Sequence, residues 1–250
     1  MKKPIFIILT LLTSALLLSA CASGPTPVQE SISHYKNGLN RMQSGNNESA
    51  LYEFNMAIQE NPDNLGAHFA AGIIYYNEGS FDKAISEFKT TISLDPNYGE
   101  AHNNLGLAYA RKKDYSDAIT ELEKAINNPV YPTKDQALVN IGNVYDSMGK
   151  HKKAAKSFRK ALLSNPYNVD AMYGLADEYK KLGDMKNAER FFRKTIDAAP
   201  KSAQAYYELG LVYFQQGRNA KAAESLEKAK SLAPNSRLSA QADKYLNLLK

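Results

Sequence analysis

Small and apolar residues return along this chain with a regular spacing of about 34 residues. Within each copy they fall three or four positions apart, which is the spacing of one face of an α-helix. Glycine and proline interrupt the pattern at regular points, so each copy predicts two short helices joined by a tight turn. Five of the six copies end in a proline: Pro62, Pro96, Pro166, Pro200 and Pro234. The pattern therefore predicts an all-α chain of six helix hairpins.

The copies are registered by positions 7, 8, 11, 20, 24 and 32. In the second copy these positions hold Ala71, Gly72, Tyr75, Ala84, Phe88 and Pro96. The small residues at positions 8 and 20 let the two helices approach closely, and the rings at 11 and 24 fill the remaining space. Glycine at position 15 supplies the turn, because a left-handed conformation costs it little. Proline at position 32 ends the second helix.

A period of this length with these positions resembles the tetratricopeptide repeat. The resemblance implies a right-handed superhelical solenoid, which is one continuous domain in which each repeat contacts its neighbours. The predicted repeats are 31–64, 65–98, 99–134, 135–168, 169–202 and 203–236, with a two-residue insertion between Asn127 and Asp135. The pattern in residues 237–250 predicts a capping helix. Its apolar residues would lie on one side of that helix: Leu238, Ala242, Tyr245, Leu246 and Leu249.

The N-terminus predicts export. Lys2 and Lys3 precede an apolar run over residues 5–18, which is short for a membrane span. The small residues before Cys21, the only cysteine, resemble the lipobox of bacterial lipoproteins. That resemblance implies a cleaved signal at 1–20, a diacylglycerol-modified Cys21 whose amino group also carries a fatty acid such as palmitate, and a tether over 21–30. The alternatives are an ordinary signal peptide with an incidental cysteine, or a short uncleaved anchor.

The residues that follow Cys21 indicate in which membrane a lipoprotein would be anchored. In lipoproteins of two-membrane bacteria, an aspartate there typically retains the protein in the inner membrane. This chain has Ala22 and Ser23, so the resemblance implies the periplasmic face of the outer membrane. An exported chain also gives no reason to expect nucleic acid as a partner.

Catalytic motifs are missing from the sequence. It has no phosphate-binding loop, nucleophile elbow or metal-ligand cluster, so we expect no enzyme, no metal and no cofactor beyond the lipid. His34, His68 and His102 are one repeated position, and packed helices about 8–10 Å apart keep them from sharing a metal. The densest basic stretch runs from Lys150 to Lys160 on one predicted helix. We interpret it as a solvated helix face, the alternative being a site for phospholipid or glycan.

The resemblance to tetratricopeptide proteins implies a concave groove lined by positions 2, 5, 9 and 12 of each first helix. At the N-terminal end these positions are apolar, namely Ile32, Tyr35, Leu39, Met42, Phe69, Ile73 and Tyr76. The middle is polar, and the sixth repeat is apolar again at Tyr207, Leu211 and Phe214. An apolar groove predicts binding of a partner helix or extended peptide. Alternatively, repeat one is shifted by a residue and its apolar stripe is its own core face, which polar Asn37 and Arg41 favour.

The whole arrangement resembles the six-repeat outer-membrane lipoproteins that act as pilotins for the type IV pilus secretin, of the PilF, PilW and Tgl types. The lipobox, short tether, six repeats and the Pro129–Pro132 segment with its Tyr-Pro pair carry the resemblance. It implies a non-enzymatic protein that binds the secretin and assists its localisation and oligomerisation. The alternatives are a scaffold or regulator of peptidoglycan and envelope enzymes, and an assembly factor of another secretion or tight-adherence pilus system.

Overall fold

The computed structural model describes residues 24–249, and all the regular structure in that range is helical. Helices pack as consecutive antiparallel pairs, and each pair packs against the next. The elements are α1 (Pro27–Gln43), α2 (Asn47–Glu60), α3 (Leu65–Asn77), α4 (Phe81–Leu94), α5 (Gly99–Lys112), α6 (Tyr115–Asn127), α7 (Lys134–Ser147), α8 (His151–Ser164), α9 (Val169–Lys181), α10 (Met185–Ala198), α11 (Ala203–Gln215), α12 (Asn219–Leu232) and α13 (Arg237–Leu248). The predicted all-α tetratricopeptide solenoid is confirmed.

Short polar side chains begin many of these helices. Thr26 caps α1 in a reciprocal pair with Gln29, and Asn64 and Asn168 accept hydrogen bonds from the third backbone N–H of α3 and α9. Such caps satisfy backbone donors that have no partner within the helix. At the other end, Asn61 before Pro62 and Asn165 before Pro166 are extended, as expected of residues that precede proline.

The turn between the two helices of a repeat needs one left-handed residue. Five repeats use glycine with φ between +69° and +80°, as predicted: Gly45, Gly79, Gly149, Gly183 and Gly217. The third repeat has Lys113 in the same conformation, with φ +68°. The turn geometry is therefore kept even where the sequence lacks the residue that adopts it most easily.

The core consists of small residues facing large rings. Phe54, Phe88, Phe158 and Phe192 are buried between the paired helices, beside alanines such as Ala50 and Ala84. The two-residue insertion lengthens the loop between α6 and α7, which spans residues 128–133. Its Tyr131 is buried, and the ring lies against Gly99 at the start of α5. The lengthened loop thus extends the core between the third and fourth repeats.

Candidate binding groove

The four predicted groove residues of α1 fall into two pairs, one exposed and one packed against the core. Ile32 and Leu39 lie two helical turns apart and remain exposed, with 44% and 39% of their surface accessible. Tyr35 and Met42 pack instead against the buried cluster that contains Ala50 and Phe54. Of these four residues, only Ile32 and Leu39 therefore present open apolar surface on α1.

Repeat one is in the same register as the others. A Cβ atom at Gly38 would lie 2.4 Å from the ring of Phe54, just as one at Gly72 would lie 2.6 Å from the ring of Phe88. The proposed one-residue shift is therefore wrong. Asn37 and Arg41 are exposed because, among the described residues, no hairpin precedes α1. A polar outer face is what the end of a solenoid requires.

The second repeat places Phe69, Ile73 and Tyr76 on α3, where all three are partly buried. They pack against the core shared by α4 and α5, which includes Phe88 and Leu105. The ring of Phe69 meets Tyr98 edge-on at 5.0 Å between centroids, and Tyr76 meets Phe81 at 5.7 Å. These contacts hold the aromatic side chains in place, so this end of the groove is preorganised.

The middle of the groove is an ionic network centred on Lys181. Its ammonium contacts Asp146 at 2.5 Å, Asp177 at 2.8 Å and Glu178 at 3.1 Å. His151 Nδ1 lies 3.0 Å from Glu178. Lys180 binds Asp177 at 2.9 Å and also contacts Glu208 of the sixth repeat. The network therefore connects three consecutive repeats across the groove.

Burial and pairing shift the acidities in this network. Burial and a hydrogen bond with Asp146 raise the pKa of Glu178, whose side chain is almost fully buried. Burial opposes ionisation of Asp177, but hydrogen bonds from Lys181 and Lys180 outweigh it and lower the pKa of that carboxyl. Burial also opposes the charge on Lys181, yet Asp146 and Asp177 raise its pKa above the ordinary lysine value. Lys181 therefore keeps its charge at neutral pH.

Three potential metal ligands meet in this network, and sequence reasoning missed them. One atom each from Asp146, His151 and Glu178 lies within 4.8 Å of the others. Lys181 already contacts both carboxylates, so an ammonium group neutralises the charge that a cation would. The arrangement fits an ion-pair network between repeats better than a metal centre.

The repeated histidines have a structural role in the first three repeats. Each histidine Nδ1 contacts a glutamate on the second helix of its own repeat: His34 with Glu53, His68 with Glu87 and His102 with Glu121, at 2.6–2.7 Å. Repeats four to six have Leu138, Met172 and Tyr206 at the histidine position, and Ser157, Phe191 and Ser225 at the glutamate position. The paired change of both positions is a signal in the sequence that would have predicted this contact.

His68 is bound through both ring nitrogens. Nδ1 faces Glu87 at 2.6 Å and Nε2 faces the backbone carbonyl of Pro62 at 3.0 Å. Because both partners are acceptors, they favour the doubly protonated ring. The hydrogen bond with Glu87 raises the pKa of His68, burial opposes that effect, and the Pro62 carbonyl adds to it.

The C-terminal end of the groove is largely covered by α13. Tyr207 is 8% exposed, and its ring meets Tyr245 at 6.3 Å, while Phe214 meets Tyr245 at 5.4 Å. Leu211 packs against the same cluster as Ala242 and Leu246. The predicted capping helix therefore occupies the apolar surface of the sixth repeat. The open apolar surface of the groove lies at its N-terminal end.

The predicted lipidation residue, Cys21, lies outside the described residues. No helix among residues 24–249 combines the length and apolar character needed to cross a bilayer.

Family comparisons agree with the fold. Models of the tetratricopeptide repeat match residues 72–113, 99–128, 136–168 and 173–237. No curated protein sequence gives a significant match.

Solved structures give matches over most of the chain. PilW, described as a widely conserved type IV pilus biogenesis factor, is 22% identical with a TM-score of 0.77, covering 85% of this chain and 98% of PilW. PilF of Pseudomonas aeruginosa is 21% identical with a TM-score of 0.74, covering 88% and 99%. YrrB, described as a TPR protein with an unusual peptide-binding site, is 22% identical with a TM-score of 0.59, covering 76% and 97%.

Proposed function

Since the chain is a tetratricopeptide-repeat protein, we propose that it is a lipid-anchored, non-enzymatic lipoprotein that binds the type IV pilus secretin. Repeats of this kind generally serve as scaffolds for protein interaction, and bind protein partners rather than small substrates. In this proposal, diacylglycerol and fatty acid on Cys21 hold the protein at the periplasmic face of the outer membrane. The repeats hold the secretin while it reaches that membrane and oligomerises.

The observation that carries this proposal is the end-to-end correspondence with two pilus biogenesis proteins. Almost the whole of PilW and of PilF aligns with this chain, at TM-scores of 0.77 and 0.74. YrrB aligns over a smaller share of this chain and with a lower score of 0.59. The coverage of this chain and the TM-scores thus favour the pilus proteins over YrrB, and the lipobox-like residues before Cys21 fit an envelope role.

The groove supplies a place for the client. Ile32 and Leu39 are exposed on α1, and Phe69, Ile73 and Tyr76 are held by core contacts on α3. Such a surface suits the apolar face of a helix or an extended apolar segment, because the rigid rings lose little freedom on binding. The charged middle, with Lys180 and Lys181 already paired, would limit the apolar contact to the first two repeats.

The proposal is tested by deleting the gene and probing unboiled membrane fractions with antibody against the pilus secretin. We expect loss of the secretin multimer, monomer in the inner membrane, and rescue by the wild-type gene but not by Cys21→Ser. A multimer that is unchanged in the deletion strain would contradict the proposal. Wall-hydrolase phenotypes with normal twitching motility would then identify a scaffold of envelope enzymes.

A further inference from the structure

One edge of the solenoid collects the connections between repeats. Because the hairpins stack in the same direction, each second helix ends and each following first helix begins at this edge. We call it the loop edge, and it comprises residues 61–64, 95–98, 128–133, 165–168, 199–202 and 233–236. The side chain of Asn64 donates to the Ser31 hydroxyl at 2.8 Å, which places the first turns of α1 at the same edge. The segment from Gly24 to Thr26 therefore enters the solenoid from the loop edge.

Three large apolar side chains are exposed at this edge. Leu163 and Tyr167 are each 84% exposed and Val130 is 79% exposed, the highest values for large apolar residues in the part of the chain that the structure describes. Leu163 lies in the last turn of α8, and Tyr167 and Val130 lie in neighbouring loops. Asp135 joins those loops, because it accepts hydrogen bonds from the side chains of Asn165 and Asn168 at 2.9 and 2.8 Å.

Helix α8 brings basic side chains to the same place. It carries five lysine and arginine residues and no acidic residue, whereas α2 carries three glutamates and no basic residue. Lys152, Lys156, Arg159 and Leu163 recur at intervals of three or four positions, so they share one face of the helix. Among residues 24–249, no carboxylate forms an ion pair with the lysine and arginine side chains of α8. This face is charged, without an acidic partner, and continuous with the exposed apolar side chains.

We propose that Lys156, Arg159, Lys160, Leu163, Tyr167 and Val130, which we call the basic-apolar strip, rest on the surface of an anionic phospholipid bilayer. Lysine and arginine beside exposed apolar and aromatic side chains are the combination that binds a bilayer interface. An acidic protein would satisfy the charges, but it gives no reason for apolar side chains among them. Leu163, Tyr167 and Val130 of the strip also lie at the loop edge, where the N-terminal segment joins the solenoid. In this respect the inference rests on the lipid anchor of the proposed function.

The strip would orient the protein as well as hold it. Its residues lie on the second helix α8, in the loop after α8 and in the loop between α6 and α7, whereas the groove residues belong to the first helices α1 and α3. Contact through the strip therefore leaves Ile32, Leu39 and the α3 aromatic side chains facing away from the bilayer. A lipid anchor at one point of the chain would not by itself determine which face of the solenoid meets the bilayer.

The chain has no tryptophan, so one introduced tryptophan reports on its own surroundings. The full chain carrying Leu163→Trp is purified with its anchor and reconstituted in vesicles that contain brominated phosphatidylcholine, with or without an equal part of phosphatidylglycerol. Leu182→Trp is the matched control, since Leu182 is also exposed but caps α9 at the opposite edge. We expect strong quenching of Leu163→Trp with phosphatidylglycerol, weaker quenching without it, and little quenching of the control in either.

Charge reversal tests the electrostatic part of the inference. Lys156→Glu, Arg159→Glu and Lys160→Glu together, in the Leu163→Trp chain, should abolish the quenching while the protein still floats with the vesicles. Flotation reports the anchor and quenching reports the strip, so loss of flotation contradicts the lipoprotein proposal alone. An unquenched Leu163→Trp in protein that floats would overturn the inference. Equal quenching of Leu163→Trp and Leu182→Trp would overturn it as well.

Discussion

The ring of Phe158 in the fourth repeat lies directly against the backbone of Gly174 in the fifth. A Cβ atom at position 174 would stand 2.6 Å from Cε1 of that ring. A Cβ at Gly142 would stand 2.6 Å from the same Cε1, so glycines from α7 and α9 both face it. The ring is held between the two helices and cannot move away from an added methyl group. The contact between Phe158 and Gly174 therefore sets the distance between the two repeats.

We predict that Gly174→Ala destabilises the chain. Alanine gains about 1 kcal/mol of helix propensity over glycine, but overpacking a buried ring costs about 1–3 kcal/mol. The net loss should be roughly 1 kcal/mol, measured as a lower midpoint of urea unfolding followed by circular dichroism. Adding Phe158→Leu should make the alanine less harmful, and a double-mutant cycle without such coupling would contradict the steric explanation. Lys152→Ala, on the exposed face of α8, is the control and should change little.

The turn between the two helices of the third repeat offers a stabilising substitution. Lys113 is exposed and left-handed, with φ +68°, where the other repeats have glycine. Lys113→Gly should raise the free energy of unfolding by about 1 kcal/mol, because glycine adopts that conformation without the steric cost of a Cβ atom. The reverse change, Gly149→Lys, should lower it by a similar amount, although a Cβ there meets no atom within 4 Å. A midpoint of thermal unfolding that shifts in the same direction for both variants would refute the conformational argument.

The contact of His68 predicts a pH-dependent contribution to stability. The folded pKa of His68 is raised above the ordinary value of 6.5, so folding favours the protonated ring. That contribution is complete below pH 6.5 and is lost as the pH rises through the folded pKa. The stability difference between the wild type and His68→Leu, which imitates Leu138 of the fourth repeat, should therefore shrink toward alkaline pH. Urea unfolding at several pH values measures it, and a difference that grows with pH would contradict the assignment.

Groove binding predicts that Leu39→Glu prevents capture of the client by the folded protein. Leu39 is 39% exposed, so a carboxylate there can stay hydrated and the fold should survive, while the apolar contact is lost. Ile73→Glu should have the same effect on capture, with some loss of stability because Ile73 packs on the core. Tyr52→Glu, which alters an exposed ring on α2, is the control. Co-purification with the secretin measures the effect, and undiminished capture by both groove variants in folded form would exclude this surface.

The sequence by itself determined the repeat architecture. Small residues at positions 8 and 20 recur in all six repeats, and the turn glycine and the final proline each recur in five of the six. These are local requirements, so their periodicity is visible in the sequence alone. The capping helix after Pro234 was predictable for a similar reason, since a solenoid must cover its last apolar face. Lipidation of Cys21 remains a prediction from the sequence, because Cys21 lies outside the described residues.

The tertiary structure decided which groove positions are open and which charges are paired. Tyr35 and Met42 fit the same sequence pattern as Ile32 and Leu39, yet they turn to the core, because packing across the hairpin selects the side chains that fill its space. Lys181 meets Asp146 from 35 positions away, and no local rule connects those residues. Burial and long-range pairing depend on how neighbouring repeats stack, and this geometry exists only once the helices are assembled.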